Sequence, residues 1–282
     1  MNQFSHLNGK YTKISTSAYN KKMLVISMFF AFSITGCSTL PKHKTEYLAQ
    51  PTKTIDTSQT SLAQMIEPLQ KQHEGLTGYH VLFEPLEALA TRLRLIDRAE
   101  KTLDLQYYIW DNDKVGALAL HALIRAADRG VKVRLLIDDN NAKHTEGIFL
   151  ALAQHPNIEV KLFNPYRFRK HRSLDMVLDL KRINRRMHNK SFIADHQIAL
   201  IGGRNMTNQY YNVSDNYQFS DVDVMLFGTA VHEISDSFDD YWNHEYAYDV
   251  REIVSQKSHR LSYESLKQQL DEHYRRSTVQ NF

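Results

Sequence analysis

Cys37 is the only cysteine in 282 residues, so the chain has no intrachain disulfide and no cysteine-based zinc site. Acid is missing from residues 1–36, which hold Lys10, Lys13, Lys21 and Lys22. Beyond them 31 basic side chains face 32 acidic ones, so the formal +3 of the whole becomes −1. A non-specific nucleic-acid binder carries an overall basic bias, and this body of the chain has none, which argues against nucleic acid as partner. The apolar run of residues 23–34 is twelve residues long, against the roughly 20 that span a bilayer. No internal repeat is present. An apolar fraction of 42% and an aromatic fraction of 11% describe a packed globule, sized for one α/β domain plus appendages.

Lys21-Lys22 followed by MLVISMFFAFSI has the charged and apolar regions of a secretion signal. Ile34-Thr35-Gly36-Cys37 resembles the lipobox of bacterial lipoproteins, where the cysteine is lipidated after cleavage before it. Residues 1–36 are then a signal peptide and Cys37 the lipidation site, on the periplasmic side of a bacterial envelope. Ser38 in place of an aspartate favours the outer membrane. A core helix or an uncleaved anchor is the alternative, and a start at Met23 would remove Lys21 and Lys22.

Residues 37–77 read as a tether, rich in Thr, Ser, Lys, Pro and Gln, with a short helix capped by Ser61 and ending before Gly75. The domain proper covers residues 78–250. HVLF is a strand, and Leu86, Leu89, Leu93 and Ile96 recur at helical spacing. TLDLQYYIW alternates as a half-buried strand. A helix follows with Leu118, Ala122, Leu123 and Ala126 inward and Gly130 as its C-terminal cap. VKVRLLID, a helix through Phe149-Leu150, and IEVKLF complete three strand–helix units, and QIALIGG and VDVMLFG add two strands. This alternation predicts an α/β layered fold with a mostly parallel central sheet flanked by helices. Residues 251–282 form a polar tail with one helical stretch at most.

HNKSFIAD places His188, Lys190 and Asp195 in the pattern His-x-Lys-x-x-x-x-Asp, with Gly202-Gly203-Arg204-Asn205 downstream. On a strand, side chains two apart share a face, so His188 and Lys190 are expected to point the same way. A neutral imidazole beside a fixed cation suits attack on an anionic phosphorus centre, because the lysine screens the phosphate charge while the ring forms a phosphoryl adduct. Among fourteen histidines only His188 has a lysine two positions on. The basic residues of 167–186 outnumber Asp175 and Asp179 by six. They form either a solvated helix face or an electropositive approach to anionic substrate. His171, His196, His232 and His244 have no metal-ligand spacing with cysteines. Tyr107, Tyr108 and Trp110 read as strand-end packing rather than a lipid slot. Asp138 and Asp139 stand where ligand loops gather in open sheets, and turn chemistry explains them equally well.

The HxKxxxxD motif and the Gly-Asn turn after it resemble the phospholipase D superfamily. IDRAEKTLDLQYYIWDND, LIRAADRGVKVRLLIDD and FSDVDVMLFGTAV are similar to its cardiolipin synthase-like branch, over residues 78–248. The resemblance implies His188 as nucleophile or general acid, with Lys190 and Asn205 binding phosphate oxygens. It makes Asp195 mainly structural and Asp221 the acid that orients the histidine, with Asp223 as the competing equivalent. It implies phosphodiester transfer on membrane phospholipid, with no metal and no cofactor. Members of that branch carry two such motifs, and this chain carries one. Two chains pair as a homodimer, or a second half is missing and the tail is its start. A nucleic-acid phosphodiesterase and an inactive membrane-tethered half-protein are the competing readings.

Overall fold

The structure, a computed structural model, describes residues 40–43, 54–258 and 260–279. The leader, Cys37 and most of the tether fall outside these residues. Eight strands form one sheet: β1 (Thr77–Leu82), β2 (Thr102–Tyr107), β3 (Lys132–Asp138), β4 (Ile158–Phe163), β5 (Ser191–Ala194), β6 (Ile198–Gly202), β7 (Asp223–Gly228) and β8 (Ala247–Asp249). Their spatial order is β1-β7-β6-β5-β2-β3-β4-β8.

The α/β layered fold is as expected, with one correction of strand direction. Only the β2–β3 and β3–β4 pairings are parallel, and the other five are antiparallel. The two parallel joins are those spanned by helices, α3 (Lys114–Asp128) and α4 (Glu146–Leu152), whose length allows the crossover. β5 and β6 have no helix between them. They join through a tight turn in which Asp195 and His196 sit at φ 48° and 51°, so the chain reverses.

Helices cover both faces. Alternate residues of β3 divide between them: Leu135 and Ile137 face a core shared with α2 (Pro85–Arg98), α3 and α4, while Leu136 faces Phe238 and Trp242 of α7 (Thr229–Trp242). β2 is therefore buried on both sides rather than half-buried. That burial places Asp104 inside the protein, where Arg134 on the neighbouring strand donates to it at 2.7 and 2.9 Å. Arg134 also reaches Asp239 at 2.8 Å and stacks over the Phe238 ring. Pairing two acids with one guanidinium keeps an otherwise costly buried charge satisfied.

The first described helix, α1 (Ser61–Gln72), is capped by Thr60 rather than Ser61, the Thr60 hydroxyl accepting from Ala63 N at 3.3 Å. Gly130, at φ 99°, follows the end of α3 in the left-handed conformation that closes a helix. The tail carries α9 (Tyr263–Val279). Its Leu266 and Leu270, four apart on one face, join the main core. Lys267 reaches Asp128 at 2.8 Å, fixing the helix against α3.

Candidate active site

His188 and Lys190 do not lie within a strand. The β5 ladder with β2 and β6 begins at Ser191, so the two residues lie in the lead-in just before it. They still meet: Lys190 Nζ lies 3.0 Å from His188 Nδ1 and donates to the His188 carbonyl at 2.7 Å. His188 is exposed and Lys190 is buried. Partial desolvation on its packed side and the Lys190 cation both push the imidazole below its usual value, while Asp221 pulls it up. The Lys190 ammonium is also lowered by burial, again against Asp221. A neutral ring at neutral pH follows for His188.

Asp138, at the end of β3, anchors the lead-in. Its carboxylate accepts from Met187 N at 2.8 Å and pairs with Arg186 at 3.0 Å. Burial pushes this carboxyl up to about 6, although Arg186 and the two backbone N–H groups that it accepts from pull the other way. Tyr108, just past β2, lies against His188 with ring centroids 4.6 Å apart. Its hydroxyl accepts from Asn140 at 3.0 Å, and Asn140 in turn accepts from Tyr166. Tyr108 thus belongs beside the histidine, which strand-end packing did not anticipate. Asp138 was recognisable by its place at the carboxyl end of a strand.

Asp221 and Asp223 separate cleanly. Asp223 is fully buried and consumed by Arg92 at 2.9 Å and Arg204 at 3.3 Å. Asp221 is part-exposed, takes Val222 N at 2.9 Å, and is the acid whose charge acts on both His188 and Lys190. It can sit there because residue 203 is glycine, where any Cβ would collide with the Asp221 carboxylate.

Asn205 is buried and latches two loops, accepting from Ile109 N at 3.0 Å and donating to the Tyr210 hydroxyl at 3.0 Å. Its amide nitrogen has two hydrogens, and Tyr210 takes one. Asp195 is elsewhere. Fully buried at the far end of β5, it accepts from Glu100 N, Lys101 N and Thr102 N at 3.0, 2.8 and 2.8 Å.

The basic run resolves into two sets. Arg167 pairs with Asp179, Arg169 with Asp139 and Glu146, and Arg182 with Asp179 and the Asn164 side chain. Arg172 donates to the Asp139 and Asn140 carbonyls, and Arg186 holds Asp138. Arg169, Arg172, Arg182 and Arg186 staple the segment to the strand ends, while Arg167 pairs within the segment itself. Lys170, Lys181 and Arg185 remain exposed. The run is therefore neither a plain solvated face nor a wholly open cationic one.

Asp221 supplies a test by pH. Removing its negative charge, as in Asp221→Asn, takes away the one influence raising the His188 pKa. The acid limb of kcat/KM is expected to move to lower pH. An acid limb that stays in place separates Asp221 from the histidine.

The profile of the family described as "Cardiolipin synthase, PLD-like domain" matches residues 93–242. "Cardiolipin synthase C" of Escherichia coli is 49% identical over 181 residues, 64% of this chain and 38% of that relative. "Major cardiolipin synthase ClsA" of Bacillus subtilis is 32% identical over 149 residues, 52% of this chain and 29% of its own length. The matches therefore span well under half the length of these curated relatives. Among solved structures, the phospholipase D family member Nuc from Salmonella typhimurium aligns with a TM-score of 0.45 and 18% identity, over 62% of this chain and 98% of that one.

Proposed function

Because the chain belongs to the family of cardiolipin synthase, PLD-like domains, we propose that it transfers or hydrolyses the phosphodiester of a membrane phospholipid through a phospho-histidine intermediate. The observation that carries the proposal is the 3.0 Å approach of Lys190 Nζ to His188 Nδ1 beside the Asp221 charge.

An ammonium can only donate, so in this arrangement the neutral ring keeps its proton on Nε2. Attack through Nε2 needs that proton on Nδ1. Lys190 then leaves Nδ1 for a phosphate oxygen, and Asp221 orients the newly placed N–H. Nε2 attacks phosphorus, the N–P bond forms, and the P–O bond to the leaving alkoxide breaks. The alkoxide takes a proton from a second histidine; an alcohol or water then gives its proton to that histidine, forms the new O–P bond and breaks the N–P bond to release His188. Asn205 offers its remaining N–H to the phosphate. This chain contributes one such histidine, so the acid comes from a second copy or a second half. Measuring phosphodiester turnover together with mass in solution tests this. Full activity from a strict monomer without a partner would overturn it, whereas an inert chain would favour the incomplete half-protein.

The same reading holds the protein at the periplasmic side of a bacterial envelope, in the outer membrane, through lipidated Cys37. Cys37→Ala is expected to accumulate as an uncleaved precursor without acyl label. Equal fatty-acid labelling of both forms would refute the anchor.

A further inference from the structure

The segment between β4 and β5 contains two short helices, α5 (Arg172–Leu178) and α6 (Leu180–Ile183), and in α5 the polarity is turned inside out. A surface helix of a water-soluble protein puts its apolar stripe inward. Here Asp175 is fully buried, accepting from Phe168 N at 2.9 Å and lying 3.9 and 3.8 Å from Arg167 and Arg182. Asp179, one turn on, is held by Arg182 at 2.7 Å. The outward side instead carries Leu174, Met176, Val177, Leu178 and Leu180, between 44% and 81% exposed. Lys170, Lys181 and Arg185 are exposed along the same segment, and no acid of 167–186 is.

We infer that this ridge, residues 174–180 with Lys170, Lys181 and Arg185, is a docking surface for an anionic lipid bilayer. Apolar side chains that enter the headgroup boundary lose contact with water, and the flanking cations meet negative headgroups. The arginine staples matter to the geometry. Arg169, Arg172 and Arg186 fix the segment to Asp138 and Asp139 at the end of β3. The ridge therefore cannot fold its apolar side chains back onto the sheet without breaking buried pairs. Because Asp138 also holds Met187 N, the ridge and the His188 lead-in share one anchor, so a docked ridge keeps the histidine at a fixed place relative to the membrane. The inference deepens the phospholipid reading and rests on it for the choice of bilayer over other partners.

Trp110 and Trp242 are both buried, so a tryptophan on the ridge reports alone on a change of surroundings. The full chain, carrying Cys37→Ser throughout to remove acylation, is made with Val177→Trp and titrated with two vesicles, phosphatidylcholine alone and phosphatidylcholine with phosphatidylglycerol. The emission is expected to move to the blue on anionic vesicles and stay unmoved on neutral ones. Val177→Asp with Leu180→Asp, and separately Lys181→Glu with Arg185→Glu, should each weaken anionic-vesicle binding at least tenfold. Turnover of a soluble short-chain phosphodiester is followed in the same proteins and should be unchanged. An unmoved emission with normal turnover would overturn the docking surface and leave the catalytic reading standing. A blue shift that grows with protein concentration in the absence of vesicles would also overturn it, by assigning the ridge to a second copy. Vesicle docking without turnover would instead count against the catalytic reading alone.

Discussion

His188→Ala is expected to lower phosphodiester turnover on the order of 10³-fold or more. The size follows from the proposed mechanism's need for two histidines. In a two-fold assembly each His188 is the nucleophile of one half-reaction or the acid of the other, so one substitution removes both functions. The fold should be indifferent, because His188 is exposed and the lead-in is held by Asp138 through Met187 N instead. His188→Asn is therefore expected to leave the thermal midpoint within a degree or two while abolishing turnover, since changes at such exposed sites cost about 0.5 kcal/mol at most. Because a P–N bond is labile to acid, burst kinetics quenched in alkaline denaturant should trap a phosphoryl adduct in the wild type and none in the variant. Retained activity in His188→Ala would remove the covalent mechanism outright.

The pH dependence should carry the same signature. In the proposed mechanism the attacking form is the neutral ring, which partial desolvation and Lys190 both favour. Activity is then expected to persist below the pH at which an ordinary histidine, with pKa about 6.5, becomes half protonated. Lys190→Met relieves the repulsion, so it should move the acid limb to higher pH while weakening substrate binding. Opposite shifts from Lys190→Met and Asp221→Asn would identify His188 as the titrating group.

The sequence made some of this site readable and hid the rest for physical reasons. Residue spacing exposed the His188–Lys190 pair even though the strand begins only at Ser191, because the two side chains still meet two positions apart in the lead-in. Strand direction was not readable. Period-two patterning is identical in parallel and antiparallel strands, and the reversal at Asp195-His196 uses left-handed backbone without the Asn-Gly or Asp-Gly pair that usually announces it. Helices longer than two turns, such as α2 and α3, left a clear periodic trace. α5 did not, since its acid Asp175 faces in and its apolar side chains face out, and α6 is too short to show a period. Charge counting over 167–186 likewise gave the total without showing that five arginines are spent internally. Choosing between Asp221 and Asp223 needed the buried Arg92 and Arg204, which lie 131 and 19 residues from Asp223 along the chain.

Asp195→Ala is expected to act on stability rather than on chemistry, at a cost of about 3–5 kcal/mol. The carboxylate is fully buried and gathers three consecutive backbone N–H groups at 2.8–3.0 Å, from Glu100, Lys101 and Thr102, where α2 gives way to β2. Bonds from N–H groups to a charged acceptor exceed neutral ones in strength, and alanine would leave the Thr102 donor buried without a partner. Asp195 also sits at φ 48°, a conformation that aspartate tolerates better than alanine, which adds to the loss. Asn keeps one acceptor oxygen and the backbone preference, so Asp195→Asn should cost roughly half as much. The check is a urea titration of all three proteins with turnover measured where each is fully folded. A scaffold residue predicts near-normal kcat per folded molecule and a lowered midpoint. A large fall in kcat at an unchanged midpoint would instead place Asp195 among the groups that touch the reacting phosphate, despite its three bonds to the chain entering β2.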